Sequence, residues 1–112
     1  MLARRLALGA VLSLALAGAA QAQCDTRFTL VNQSGVQVNE FYFDTSANPN
    51  WGNDRLGQGV LPNGASMNFS SRYAGAHDFK VVWANGQTAE LMRVDICVTS
   101  QIVATPRGIV AR

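Results

Sequence analysis

From His77 to Cys97 the chain reads HDFKVVWANGQTAELMRVDIC, and apolar and polar residues alternate along both halves of the run. Phe79, Val81 and Trp83 alternate with Asp78, Lys80 and Val82 on the first half. Ala89, Leu91 and Arg93 alternate with Thr88, Glu90 and Met92 on the second, and Val94, Ile96 and Val98 continue beyond. A period of two sends successive side chains to opposite faces of a strand, a surface that β-branched and aromatic residues suit. Between the halves stands Asn85-Gly86, a pair that tolerates the positive φ needed at both central positions of a type I′ turn. The pattern predicts one long β-hairpin closed by a two-residue turn.

Five further runs keep the same rhythm. Arg27–Asn32 (RFTLVN) places Phe28 and Leu30 on one face, and Gln33-Ser34-Gly35 after it is turn chemistry. Gln37–Asp44 (QVNEFYFD) is apolar on both faces, with Phe41 and Phe43 on one and Val38 and Tyr42 on the other. Such a strand is covered on both sides or lies at a sheet corner. Leu56–Leu61 (LGQGVL) reads as a glycine-interrupted strand, followed by the β-turn signal Leu61-Pro62-Asn63-Gly64. Ser66–Ser70 (SMNFS) predicts a strand with Met67 and Phe69 inward. Gln101–Ala104 (QIVA) predicts a last one, before Pro106 and Gly108 break the ladder. From residue 23 onward there is no helical period and no internal repeat. Six or seven short strands with turn signals between them predict an all-β fold, a single antiparallel β-sandwich of immunoglobulin-like character.

The first 22 residues follow a different rule. Arg4-Arg5 precede the apolar run Leu6–Ala17, and Ala20-Gln21-Ala22 has the small-x-small form of a cleavage site. A membrane-spanning helix needs about 20 apolar residues, and this run is shorter and interrupted by Gly9, Ser13 and Gly18. The expectation is a signal peptide over 1–22 and one domain over 23–112, exported by the Sec route to the periplasm or beyond. The paired arginines leave the twin-arginine (Tat) route as the alternative. Gln23 before Cys24 does not suit a lipobox, so no membrane attachment is expected after cleavage.

Cleavage changes the charge. The chain has nine Lys and Arg against seven Asp and Glu; without Arg4 and Arg5 the balance is seven against seven. No basic stripe remains to neutralise phosphates, which removes nucleic acid from the expected partners. Two cysteines in an exported chain read as a disulfide. A Cys24–Cys97 bridge would close a loop worth about 4.5 kcal/mol of chain entropy. The absence of C-x-x-C and the presence of one histidine disfavour a redox or zinc pair.

Several short pieces together resemble one family. They are Asn32–Gly35, Glu40-Phe41-Tyr42-Phe43, Trp51-Gly52-Asn53-Asp54-Arg55-Leu56-Gly57, Leu61–Ser66, Asp78–Trp83 with Asn85-Gly86, and Val94–Cys97 with Ser100 and Ile102. The chain resembles small exported bacterial β-proteins labelled hypothetical or Tat-pathway signal proteins. The resemblance implies a compact exported β-domain and brings no activity. Some such relatives carry the label argininosuccinate lyase, which does not transfer: that enzyme is large, helical and built from several subunits. Relatives also place a cysteine just before the strand that here follows Ala76-His77, so in this chain only Cys24 can partner Cys97.

Candidate chemistry is sparse. His77-Asp78 is the one place with a base that titrates near neutrality, and Ser66, Ser70 and Ser71 are the hydroxyls that a hydrolase would draw on. Gly64-Ala65-Ser66-Met67-Asn68 lacks the second glycine of G-x-S-x-G, and adjacent strand residues face opposite ways. No catalytic set is assigned. Asp44, Asn48, Asn50, Asn53 and Asp54 offer oxygen atoms, but their spacing does not match a calcium loop, so no metal or cofactor is expected. Thr45–Arg55 (TSANPNWGNDR) is the longest irregular stretch, and Trp51 in it is either a lid over one end of the sandwich or a platform for a ring or peptide.

The expectation is therefore a non-enzymatic binding module acting through the 45–55 loop. Trp51, Asn50, Asn53 and Asp54 would contact an envelope protein, peptide or glycan. Two alternatives stand beside it: an envelope assembly subunit that offers an edge strand such as Gln101–Ala104, and a small hydrolase using His77.

Overall fold

Alternating apolar positions make strands wherever a facing layer can cover them, and seven segments meet that condition. The computed structural model describes residues 23–112; the leader expected over 1–22 lies outside the described residues. The strands are β1 Arg27–Asn32, β2 Val38–Thr45, β3 Ser66–Ser70, β4 Ala76–Trp83, β5 Thr88–Asp95, β6 Gln101–Thr105 and β7 Gly108–Ala111. They form a four-stranded sheet, β3-β1-β6-β7, and a three-stranded sheet, β2-β4-β5. The fold is an all-β sandwich. Every neighbouring pair is antiparallel except β1 and β6, which run parallel. The division into four and three strands is that of a constant-type immunoglobulin sandwich. The order differs, because the first strand lies inside its sheet between β3 and β6.

The two inner faces meet on an aromatic cluster. Phe28 of β1, Phe41 and Phe43 of β2, Phe69 of β3 and Phe79 of β4 are all five phenylalanines of the chain. They lie with ring centroids 5.0–6.3 Å apart. Leu30, Val81, Ile96, Ile102 and Ile109 extend this core. The predicted inward positions Phe28, Leu30, Phe41, Phe43, Phe79, Val81 and Trp83 are all buried.

Several sequence expectations give way. LGQGVL is not a strand: Gly57 takes φ 62°, the segment turns, and only Leu61 bridges Val38. The seventh strand is instead Gly108–Ala111, because Thr105–Gly108 closes a tight hairpin between β6 and β7. That strand also makes β6 an interior strand, so Gln101–Ala104 offers no free edge. The Asn85-Gly86 turn is not type I′. Gly86 has φ 84°, Asn85 does not have positive φ, and the Gly86 amide donates to the Trp83 carbonyl at 2.9 Å. The loop has three residues with a glycine bulge, stabilised by the Gln87 amide donating to Asn85 Oδ1. On β5 the alternation slips at a bulge opposite His77 and Phe79, where Arg93 adopts φ 58°. Beyond β5 the chain enters a 3-10 turn, Ile96–Val98, and Val98 is exposed. Met67 is half-open at 38% exposure, since among the described residues β3 has no neighbouring strand on one side.

Polar groups close the two ends of the sandwich. At one end the Trp83 indole Nε1–H donates to Ser34 Oγ at 2.8 Å, and the Ser34 hydroxyl donates to Asn32 Oδ1 at 2.7 Å. The Asn32 amide nitrogen donates to the carbonyls of Val36 and Leu61. Asn32 is fully buried, as close-packed cores allow only when such groups are satisfied. At the other end Cys24 and Cys97 are bridged, with Cα atoms 5.0 Å apart.

Two stability measurements follow. Ser34→Ala leaves the buried Trp83 N–H without an acceptor, a loss of about 1–3 kcal/mol in urea unfolding. Cys24→Ser with Cys97→Ser costs about 2–5 kcal/mol, read as a lower urea midpoint that reductant no longer changes.

Candidate functional site

The 45–55 loop leaves the end of β2, turns back, and rejoins the edge of the strand it came from. Asp44 organises its start: its Oδ1 accepts from the Thr45 amide at 2.7 Å and its Oδ2 from Asn48 Nδ2 at 2.8 Å. Asn48 Oδ1 in turn accepts from the Asn50 amide at 3.1 Å. Ser46 anchors the loop to β4, with its amide on the Ala76 carbonyl and its hydroxyl on Asp78 Oδ1. The return is fixed by Asp54, whose Oδ1 accepts from the amides of Phe41 and Leu56, both at 2.9 Å. Arg55 completes it by donating to the Phe43 carbonyl and lying 4.3 Å over the Phe43 ring.

This path does not carry Trp51 over the end of the sandwich, where the lid reading put it. It lays Trp51, half-buried, against the outer face of the three-stranded sheet. Lys80 Nζ sits 5.9 Å from the Trp51 ring centroid and 5.9 Å from that of Tyr42, within range of cation–π attraction to both. Between the loop and β4–β5 is a groove of about 400 Å³, bounded by Asp44, Asn48, Trp51, Asp78, Glu90 and Met92.

The groove is rich in acceptors. Asp44 and Asp78 are directly opposed across β2 and β4, an arrangement that like charges disfavour. Hydrogen bonds from Ser46 and from the Arg93 amide, at 2.7 and 2.9 Å, offset part of that repulsion at Asp78. Tyr42 beside the groove donates its hydroxyl to Glu40. That bond, helped by burial and by the Glu40 and Asp54 charges, pushes the phenol up to about 12. The single ion pair among the described residues, Arg27 with Asp25 at 2.9 Å, is exposed and belongs to β1 and the residues before it. Its hydrogen bonds hold the Asp25 carboxyl at about 2.

Of the four residues expected as contacts, Trp51 and Asn50 line this groove. Asn53 is exposed on the return path and does not border it. Asp54 holds the loop to β2, so its carboxylate serves as an anchor. Sequence reasoning missed Asp78, Glu90 and Met92 as groove walls. Their signal was the outward half of the alternation in β4 and β5. Among the described residues no three His, Cys, Asp or Glu side chains cluster as a metal site, and no helix is long and apolar enough to cross a membrane.

The structure does bring one candidate nucleophile to the histidine. Ser71 Oγ lies 2.6 Å from His77 Nε2, and His77 Nδ1 lies 2.9 Å from the Gly75 carbonyl. A carbonyl only accepts, so Nδ1 carries a proton and, in the neutral ring, Nε2 accepts a hydrogen bond from the Ser71 hydroxyl. That is the tautomer a general base needs. However, His77 is fully buried, and Ser71 Oγ also accepts the Tyr73 amide at 3.2 Å. Both groups are thereby engaged in holding the β3–β4 loop. Asp78 points to the opposite face, toward Ser46 and Arg93, and does not reach His77's partners.

Compared with protein-family models, curated proteins and solved structures, the chain matches none.

His77→Ala removes both loop hydrogen bonds and opens a cavity, a loss of about 2–4 kcal/mol in urea unfolding. A fluorophosphonate probe is expected to leave Ser71 unlabelled. Labelling that vanishes in His77→Ala would restore the hydrolase reading.

Proposed function

We propose that this is an exported, non-enzymatic binding module whose ligand lies in the groove between the 45–51 loop and the outer face of β4–β5. The observation that carries the reading is Trp51, held as one wall of an acceptor-lined groove by a loop with its own internal hydrogen bonds. Support for export comes from the leader pattern of residues 1–22 and from a disulfide, which persists in oxidising compartments.

The lining chemistry suits a polyhydroxylated ring better than a peptide. One Lys80 cation already occupies a face of the Trp51 indole, and the carboxylates of Asp44, Asp78 and Glu90, the amides of Asn48 and Asn50 and the side chain of Arg93 give the groove both acceptors and donors. A sugar supplies hydroxyl donors along its rim and an apolar face for an aromatic wall. A glycan is therefore the ligand class favoured here.

The test is a glycan-array screen with the oxidised protein, followed by titration of the best ligand against Trp51→Ala. Expected is retention of a defined glycan that weakens by roughly tenfold or more in the variant, as loss of a central aromatic contact commonly gives, with the thermal midpoint nearly unchanged. A large drop in that midpoint with no glycan retained would make Trp51 a structural cover and end this reading.

A further inference from the structure

A different face of the molecule carries an independent inference, drawn from how the four sheet edges are finished. The β2 edge is closed: Val38 and Leu61 exchange amide–carbonyl bonds at 2.9 Å, and Asp54 and Arg55 cap the backbone of Phe41. The β5 edge carries Glu90, Arg93 and a bulge. The β7 edge is four residues long and flanked by Arg107 and Arg112. These are the features that keep a sheet edge from pairing with another chain. β3, Ser66–Ser70, has none of them: no charge, no proline and no bulge in its pairing with β1.

The ladder fixes which β3 backbone groups are free. Ser71 N–H donates to Thr26 O, and Asn32 N–H donates to Ala65 O. The Thr29 amide turns away from β3 to the Ser100 carbonyl. In an antiparallel pair the bonded positions alternate, so Phe69 and Met67 bond to Phe28 and Leu30. The amides and carbonyls of Ser66, Asn68 and Ser70 then face outward, unclaimed by any other strand among the described residues.

That outward strand is also symmetric in character. Read in either direction from Asn68, SMNFS gives an apolar residue and then serine. We propose that β3 pairs with β3 of a second copy of this chain, antiparallel about a two-fold axis at Asn68. Ser66 then opposes Ser70 of the second copy, Asn68 opposes Asn68, and all three outward residues of each copy form hydrogen-bonded pairs. Met67, which is 38% exposed at the open side of the core, meets Phe69 of the second copy on the same face. A self-complementary patch of this kind closes as a dimer and does not propagate. The occupant is a second copy because a strand without charge offers no complementarity to a charged partner, whereas its polar and apolar positions match their own reverse.

The test is sedimentation velocity of the oxidised protein over a wide concentration range, with circular dichroism as a check on fold. A concentration-dependent dimer is expected. Asn68→Pro removes an outward N–H and spares the β1 ladder, a position where an edge strand tolerates proline, and it should be monomeric. Asn68→Lys and Asn68→Asp place like charges on the axis and should each weaken association by roughly tenfold or more. An equimolar mixture of the two should associate again, and this arm decides the matter even if the proline variant fails to fold. A wild-type protein that stays monomeric at the highest concentration overturns the proposal. So does a dimer that Asn68→Lys and Asn68→Asp leave unchanged.

Discussion

The sandwich depends on one contact: the interlocking of five phenylalanine rings from four strands and both sheets. Each buried aromatic contributes about 1.5–3 kcal/mol by area, and edge-on pairs such as Phe28 with Phe43 add about 0.5–1.5 kcal/mol. Against a total stability of about 5–15 kcal/mol for a small domain, that is a large share. An aromatic core this short must end abruptly, and its ends are where backbone groups would be stranded. Asn32, Ser34 and Trp83 satisfy them at one end; His77, Ser71 and the disulfide hold the other. The chain's lone histidine and the serine bonded to Trp83 are thus explained by the limits of the core.

The hairpin, the inward residues and the Cys24–Cys97 bridge were legible because alternation and cysteine count are local signals. The errors arose where a second interaction outweighed a local one. Asn85 has a side chain that bonds the Gln87 amide, so it did not need the left-handed backbone that Asn-Gly suggested. Gly108 ends one strand pattern and begins another, since a positive φ of 137° suits the hairpin turn into β7. LGQGVL has a strand's composition, but its glycines and Asp54 bend it along the β2 edge. The parallel pairing of β1 with β6 has no sequence signature at all, being set by which edges remain after the hairpins form.

The candidate groove was only half legible for a related reason. Trp51 and Asn50 stood out as unusual residues in a polar loop. Glu90 did not, and Asp44 and Asp78 stood out only for a calcium loop and for His77, because outward polar residues on strands are ordinary until a loop is laid over them. What makes them a wall is the Ser46 anchor and the Asp44–Asn48 bond, which are tertiary facts. The division of labour is clear along β4: Phe79 and Val81 build the core, while Asp78 lines the groove and Lys80 lies over the Trp51 ring.

The position of β1 has a consequence for how the chain reaches this state. Its antiparallel neighbour β3 and its parallel neighbour β6 are both supplied by later parts of the chain, β6 near the very end. Pairings so distant in sequence are slow, since the intervening chain must be ordered before they reward it. No amino-terminal fragment contains a closed sheet around β1, so assembly cannot proceed stepwise from the first strand. Cys97 lies just ahead of β6 in the chain, so the bridge to Cys24 ties the approach to the last strands to the approach to the first.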